Sequence, residues 1–205
     1  MLTSNKEKVV WLSLVSIALL VSAIDPVADR LTWFMETVPV MIAIPTLLIT
    51  HRQFPLTIIS VRAISLFAFI LIVGGYYTYA ENPLFEWIQQ TFDLARNHYD
   101  RLGHFIQGVV PALLSREILL RTSPLQRGKW LFFIVCSISL AISACYEFVE
   151  WAAAVINAQA AEAFLGTQGD NWDTQWDMFL ALNGSLFAQW FFARIQDRQL
   201  GALLP

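Results

Sequence analysis

Hydrophobic positions in this chain run in long blocks rather than in the alternating or striped patterns of soluble domains. Six blocks approach the roughly 20 residues that cross about 30 Å of hydrocarbon: residues 9–24, 31–50, 56–79, 97–120, 130–156 and 173–194. The first is short. Its Lys6, Lys8 and Val21-Ser22-Ala23 also fit a signal peptide, but 16 apolar-rich residues exceed a normal signal core, which favours a retained helix. The pattern predicts an all-α polytopic bundle of six transmembrane helices in one membrane domain, residues 1–205.

Two segments between the blocks are too polar to span. Residues 82–96 place Leu84, Phe85, Ile88, Phe92 and Ala95 on one face and Glu86, Gln89, Gln90, Asp93 and Arg96 on the other. Asn82 suits an N-cap and Pro83 the first helical position, so a short interfacial helix is expected. Residues 157–172 hold Gly166 and Gly169 and read as a flexible loop.

Basic residues orient the bundle. With the N-terminus in the cytoplasm, ten of the thirteen Lys and Arg fall at cytoplasmic ends, and only Arg30, Arg96 and Arg101 outside. Six spans then place both termini inside. The tryptophans fit two interfacial belts: Trp11, Trp130 and Trp190 near the inner boundary, and Trp33, Trp87, Trp151, Trp172 and Trp176 near the outer one. At 57% hydrophobic and 14% charged, the composition is that of a membrane protein. A net charge of −3 argues against a nucleic-acid partner. Cys136 and Cys145, nine residues apart, point to opposite helix faces and read as buried, inert thiols.

Against this background six carboxylates stand out: Glu36, Asp100, Glu147, Glu150, Asp173 and Asp177, with His104 beside them. An ionisable group in a bilayer costs several kcal/mol and by default marks a functional site. The topology brings all six to the outer third of the bilayer. Asp100 and His104 are i,i+4, Glu147 and Glu150 are i,i+3, and Asp173 and Asp177 are i,i+4, so each pair shares a helix face. Gly184 continues the Asp173–Asp177 stripe and would let a neighbouring helix approach closely. Six ionised acids offset only by Arg101 cannot persist in low dielectric; protons, a cation or water must compensate.

Three readings fit. In the favoured one, Asp100, His104 and Asp177 ligate a divalent metal (Zn, Mn, Mg or Ca), with Glu147, Glu150 and Asp173 as acid–base groups and Glu36 and Arg101 completing the pocket. Its substrate would be an envelope lipid or lipid-linked precursor. In the second, the acids form a relay in a small proton- or cation-coupled transporter. In the third, they hold helices together through shared protons and hydrogen bonds. Simpler roles suffice elsewhere: Glu117 pairs with Arg121 at i,i+4 near the cytoplasmic boundary, Arg62 snorkels, and Asn183 bonds between helices. GxSxG, HExxH, P-loop and CxxC patterns are absent, which leaves serine-type acyl transfer unsupported.

Three acid-bearing strings carry a resemblance: His98-Tyr-Asp-Arg-Leu-Gly-His104-Phe105, Tyr146-Glu-Phe-Val-Glu-Trp151 and Gly169-Asp-Asn-Trp-Asp-Thr-Gln-Trp-Asp-Met178. Together they resemble the YjdF-like family of bacterial inner-membrane proteins over nearly the whole chain. The resemblance implies an inner-membrane location and brings no established activity. More distantly, Asp100-Arg-Leu-Gly-His104-Phe105 is similar to the opening motif of VanZ-like membrane proteins. Their later Glu-x-x-Gln would fall on Glu147 and Glu150, and their Asp-x-x-x-Asn-x-x-Gly on Asp177, Ala181 and Gly184, so the Gln and Asn are replaced.

Overall fold

The computed structural model describes residues 2–156 and 167–203, all of its regular elements helical. In chain order these are α1 (Leu2–Ser22), α2 (Arg30–Thr50), α3 (Ile58–Tyr77), α4 (Pro83–Thr91), α5 (Tyr99–Thr122), α6 (Lys129–Ile156), α7 (Asp173–Phe191) and α8 (Ala193–Leu203). Among the described residues, the six long helices run 19 to 28 residues, about 28–42 Å at 1.5 Å per residue. Three of them, α2, α3 and α6, are long and apolar enough to cross a membrane by length and composition alone. The other three correspond to expected spans, but α5 and α7 carry many polar positions and bury them inside the bundle. Large apolar side chains such as Leu20, Ile49, Phe133, Phe148, Val155 and Trp190 stand exposed around the outside, as on a surface that faces lipid.

Local chemistry sets the helix ends. Asp29 caps α2, accepting from the amides of Leu31 (2.9 Å) and Thr32 (3.1 Å) and from the Thr32 hydroxyl (2.6 Å). Asn82 caps α4 at the Phe85 amide, with Pro83 opening the helix as expected. This helix stops five residues earlier than the amphipathic pattern predicts. Asp93 takes a left-handed φ of 51° and the Leu94 amide returns to the Gln89 carbonyl at 2.9 Å, a Schellman-type close that releases residues 94–96 from the helix. The sixth expected span also ends early, at Phe191. The chain continues as α8, which buries Gln196 and Leu200.

The core has two parts that α5 joins. Val15, Val40, Ile70, Leu71, Ile72 and Tyr99 pack α1, α2, α3 and the start of α5. Val109, Ala112, Leu113, Leu131, Val135 and Ala188 pack α5 against α6 and α7. Helices α5 and α7 run in the same direction with their backbones touching. A Cβ on Gly108 would lie 1.8 Å from the Ala181 carbonyl oxygen, and one on Gly184 1.9 Å from that of Phe105. The expectation for Gly184 holds, and Gly108 is its counterpart on the facing helix. Asn183, expected to bond between helices, instead donates to the Phe179 carbonyl of its own helix (2.7 Å). Of the cysteines, Cys136 is buried and Cys145 exposed, and both are free.

Candidate functional site

The glycine contact fixes what the first turns of α5 and α7 can do. With backbones this close, Asp100 and His104 on α5 face Asp177 on α7, and antiparallel α6 brings Glu147 to the same end. His104 Nε2 lies 3.4 Å from Asp100 Oδ1 and 3.9 Å from Asp177 Oδ2. Its Nδ1 lies 3.8 Å from Glu147 Oε1 and 3.0 Å from Gln107 Oε1. The Gln107 oxygen at 3.0 Å accepts from Nδ1 when the proton sits there, while Nε2 faces the two aspartates. One ligand atom each from Asp100, His104 and Asp177 can be chosen so that all lie within 4.8 Å of one another, and all three residues are buried. These are the three residues singled out from sequence as a ligand set.

Glu36 and Glu150 close the same space from α2 and α6. With Asp100, His104, Gln107, Tyr79 and Tyr146 they line a cavity of about 20 Å³, room for one water-sized group. The Tyr79 ring reaches it through a slot with glycine on both sides: a Cβ on Gly74 would sit 2.4 Å from the ring and one on Gly103 3.1 Å. Tyr79, Gln107 and Tyr146 were not legible as site residues, because Tyr and Gln carry no penalty in an apolar block that marks them out. The glycines at 74 and 103 were the available signal.

Arginine placement corrects the expected charge balance. Arg101, taken from sequence as the offset within the pocket, lies outside it. It donates to Asp170 at 2.7 Å and stacks 5.2 Å from the centre of the Trp176 ring. Adjacent helical positions diverge by about 100°, so Arg101 cannot share the face of Asp100. Arg96, expected on the wet face of the interfacial helix, is the arginine that enters. The early end of α4 frees it to reach Asp173, with Asp170 at 3.5 Å and Asp100 at 3.7 Å. Its i,i+4 spacing to Asp100 was the sequence clue.

Asp170 organises the approach to α7. Its Oδ1 accepts from the Trp172 amide at 2.9 Å while Oδ2 takes Arg101. Beside it, Gln168 exchanges two hydrogen bonds with the backbone of Asn97, at 2.8 and 2.9 Å. The described part of the expected flexible loop is therefore tied to the start of α5; its residues 157–166 lie outside the described residues.

The compensation stops short of the centre. Asp177, 2% exposed, keeps Oδ1 without a hydrogen-bond partner among the described residues, and Glu147, 6% exposed, keeps Oε1 so. A buried carboxylate oxygen with no donor is costly unless a proton, a cation or water meets it.

Comparison with known proteins agrees that this is a membrane protein. A family described as "Predicted membrane protein (DUF2238)" matches residues 7–198. The chain is 53% identical over 172 residues to the "Inner membrane protein YjdF" of Escherichia coli (strain K12), covering 84% of this chain and 82% of that protein. No solved structure matches. The long apolar helices and a match over nearly the whole length make this chain a member of the DUF2238 family of predicted membrane proteins.

Proposed function

We propose that the acidic end of the bundle is a divalent-metal centre acting on an envelope lipid or lipid-linked precursor, in a protein of six crossings with both termini in the cytoplasm. One observation carries the reading: the buried ligand atoms of Asp100, His104 and Asp177 converge, with the Gln107 oxygen 3.0 Å from the other ring nitrogen of His104. Ligand atoms around a tetrahedral zinc, with bonds of about 2.0–2.2 Å, lie roughly 3.3–3.6 Å apart. The 3.4 Å between His104 and Asp100 fits, and the 3.9 Å to Asp177 needs only a small closure. The carbonyl-type oxygen on the far ring nitrogen is the usual outer support of a ligating histidine.

A metal bound there would lower the pKa of a water or grip a phosphate oxygen. Among the acid–base candidates, Asp173 is held by Arg96 and serves to position the arginine. Glu147 and Glu150 are left for proton transfer, Glu147 with an oxygen free of hydrogen bonds among the described residues. The distribution of ten basic residues toward one end supports the orientation. The test is conversion of a labelled inner-membrane lipid extract by the purified protein. Product that disappears with chelator and in Glu147→Gln supports the reading; product formation equal in the variant contradicts it.

A second reading, proton relay, has its own observation. Ser139, Ser143 and Glu147 follow one another at i,i+4 on α6, and the buried hydroxyls of Ser139, Ser143 and, on α7, Ser185 make no hydrogen bond among the described residues. They extend polar groups inward from the acidic cavity. Proton flux into vesicles that is lost in Ser143→Ala would favour this reading over the metal centre.

A further inference from the structure

The opposite end of the bundle holds a larger space of different chemistry. Helices α1 and α2 both lie against α3 and touch each other little. The gap between them is a cleft of about 630 Å³, within the range of small-molecule sites. Its walls are apolar, with Val9, Leu12, Ala43, Leu47 and Ile64 among them, and among the described residues no Asp or Glu lines it. Its mouth carries Lys8, His51 and Arg52. We infer that this cleft binds an anionic phospholipid of the surrounding leaflet, an acyl chain between α1 and α2 and the phosphate against Lys8 and Arg52.

Charge at the mouth decides the class of ligand. Lys8 is half-buried and makes no ion pair among the described residues, and Arg52 likewise makes none. The acid whose charge acts on Lys8 is Glu117, and its carboxylate is already taken by Thr57, Ser60 and Arg121. The Arg121 guanidinium, paired with Glu117 at 3.1 Å, lies 3.5 Å from the centre of the Phe54 ring, and Phe54 itself lines the cleft. A positive rim over an apolar slot is the complement of an anionic headgroup over an acyl chain, and basic pockets between membrane helices are known to hold such headgroups. A zwitterionic lipid would bring its own cation to a mouth that already has two. Inorganic phosphate would fit the rim but leave the apolar slot empty. The cleft shares no residue with the acidic cavity, so this inference stands apart from the proposed metal centre.

The experiment uses the full chain in detergent, with dioleoylphosphatidylglycerol, dioleoylphosphatidylcholine and inorganic phosphate as probes. Binding is read by native mass spectrometry and by the shift in thermal unfolding. Phosphatidylglycerol is expected to bind and stabilise the wild type well beyond phosphatidylcholine or phosphate. The double variant Lys8→Gln/Arg52→Gln should weaken phosphatidylglycerol binding about thirtyfold, at about 1 kcal/mol per charge, and leave phosphatidylcholine unchanged. Ala43→Phe, which fills the slot, should abolish lipid retention. Equal binding of the two lipids, equal stabilisation by phosphate, or an unchanged affinity in the double variant would each overturn the inference. Both charge substitutions lie at the mouth rather than in the packed core, so the test survives if Ala43→Phe does not fold.

Discussion

Helix α5 carries a buried acid near each end, and the two are treated in opposite ways. Glu117, fully buried, receives four hydrogen bonds: from the Thr57 amide (2.9 Å) and hydroxyl (2.7 Å), Ser60 (2.8 Å) and Arg121 (3.1 Å). Around it Arg116 donates to Gln196 and Asp197, and Gln196 donates to Ser60 and the Leu113 carbonyl. At the other end, Asp100 and His104 meet Asp177 and Glu147 with acceptors in excess of donors, and three carboxylate oxygens, one each on Asp100, Glu147 and Asp177, have no hydrogen bond among the described residues. A satisfied network rigidifies a fold, while a partly satisfied one is retained for what it does. The basic end is where the bundle is fastened, and the acidic end is where we propose that a ligand enters.

The largest expected effect comes from the contact that serves both ends. Gly108→Leu must force α5 and α7 apart at the Ala181 carbonyl, and a destabilisation of at least about 3 kcal/mol is expected. Thermal unfolding followed by tryptophan fluorescence checks it; a near-normal melting temperature would mean that the helices are not pressed together there.

The next prediction concerns sign. Glu117→Leu should destabilise by about 3 kcal/mol, because it leaves Arg121, Thr57 and Ser60 without their acceptor. Asp177→Asn, at the uncompensated end, should instead be neutral or raise stability by up to about 2 kcal/mol while removing function. The same melting experiment decides; two losses of equal size would erase the distinction between the ends.

Gln107→Leu sharpens the acidic end alone. It removes the oxygen that orients His104, and a 10–100-fold loss of metal affinity is expected, roughly the usual cost of an outer-support mutation. Titration with Zn²⁺ measures it. An unchanged affinity would show that the histidine needs no such support.

The smallest effect belongs to a carboxylate in neither cluster. Asp29 is exposed at the start of α2, and hydrogen bonds from Thr32 hold its pKa below the usual carboxylate value. A depressed folded pKa means stability that is present above the unfolded value and fades as pH falls through the folded one. Asp29→Ala should therefore cost about 1 kcal/mol at neutral pH and less at acid pH. Melting curves at two pH values check this, and a loss independent of pH would assign the contribution to packing instead.

How much of this was legible follows from what each residue signals in sequence. The helices were, because uninterrupted apolar blocks have one reading, and so were the ligand candidates, because an acid in such a block has a cost that stands out. The convergence of the pairs is not legible in the sequence, because it depends on Gly108 as well as Gly184, and only Gly184 continues an acidic stripe. Arg96 was misplaced because an amphipathic period does not show where a helix ends, and Asp93 ends it early through an unusual left-handed turn. Glu117 reads as an ordinary pair near the cytoplasmic boundary because Arg121 at i,i+4, which does bond it at 3.1 Å, explains it locally. Its other partners lie about 60 positions away, on and just before α3, which no local pattern reveals. Helix α8 is not legible because one of its two buried residues, Gln196, is a glutamine and does not register as core.

The most direct test of the account is the metal content of the detergent-purified protein, wild type beside Asp100→Ala and His104→Ala, after incubation with Zn, Mn, Mg and Ca. Near-stoichiometric metal in the wild type, lost in both variants while they remain folded, is the predicted result. A wild type that takes up none of the four, or variants that retain as much as the wild type, would contradict it.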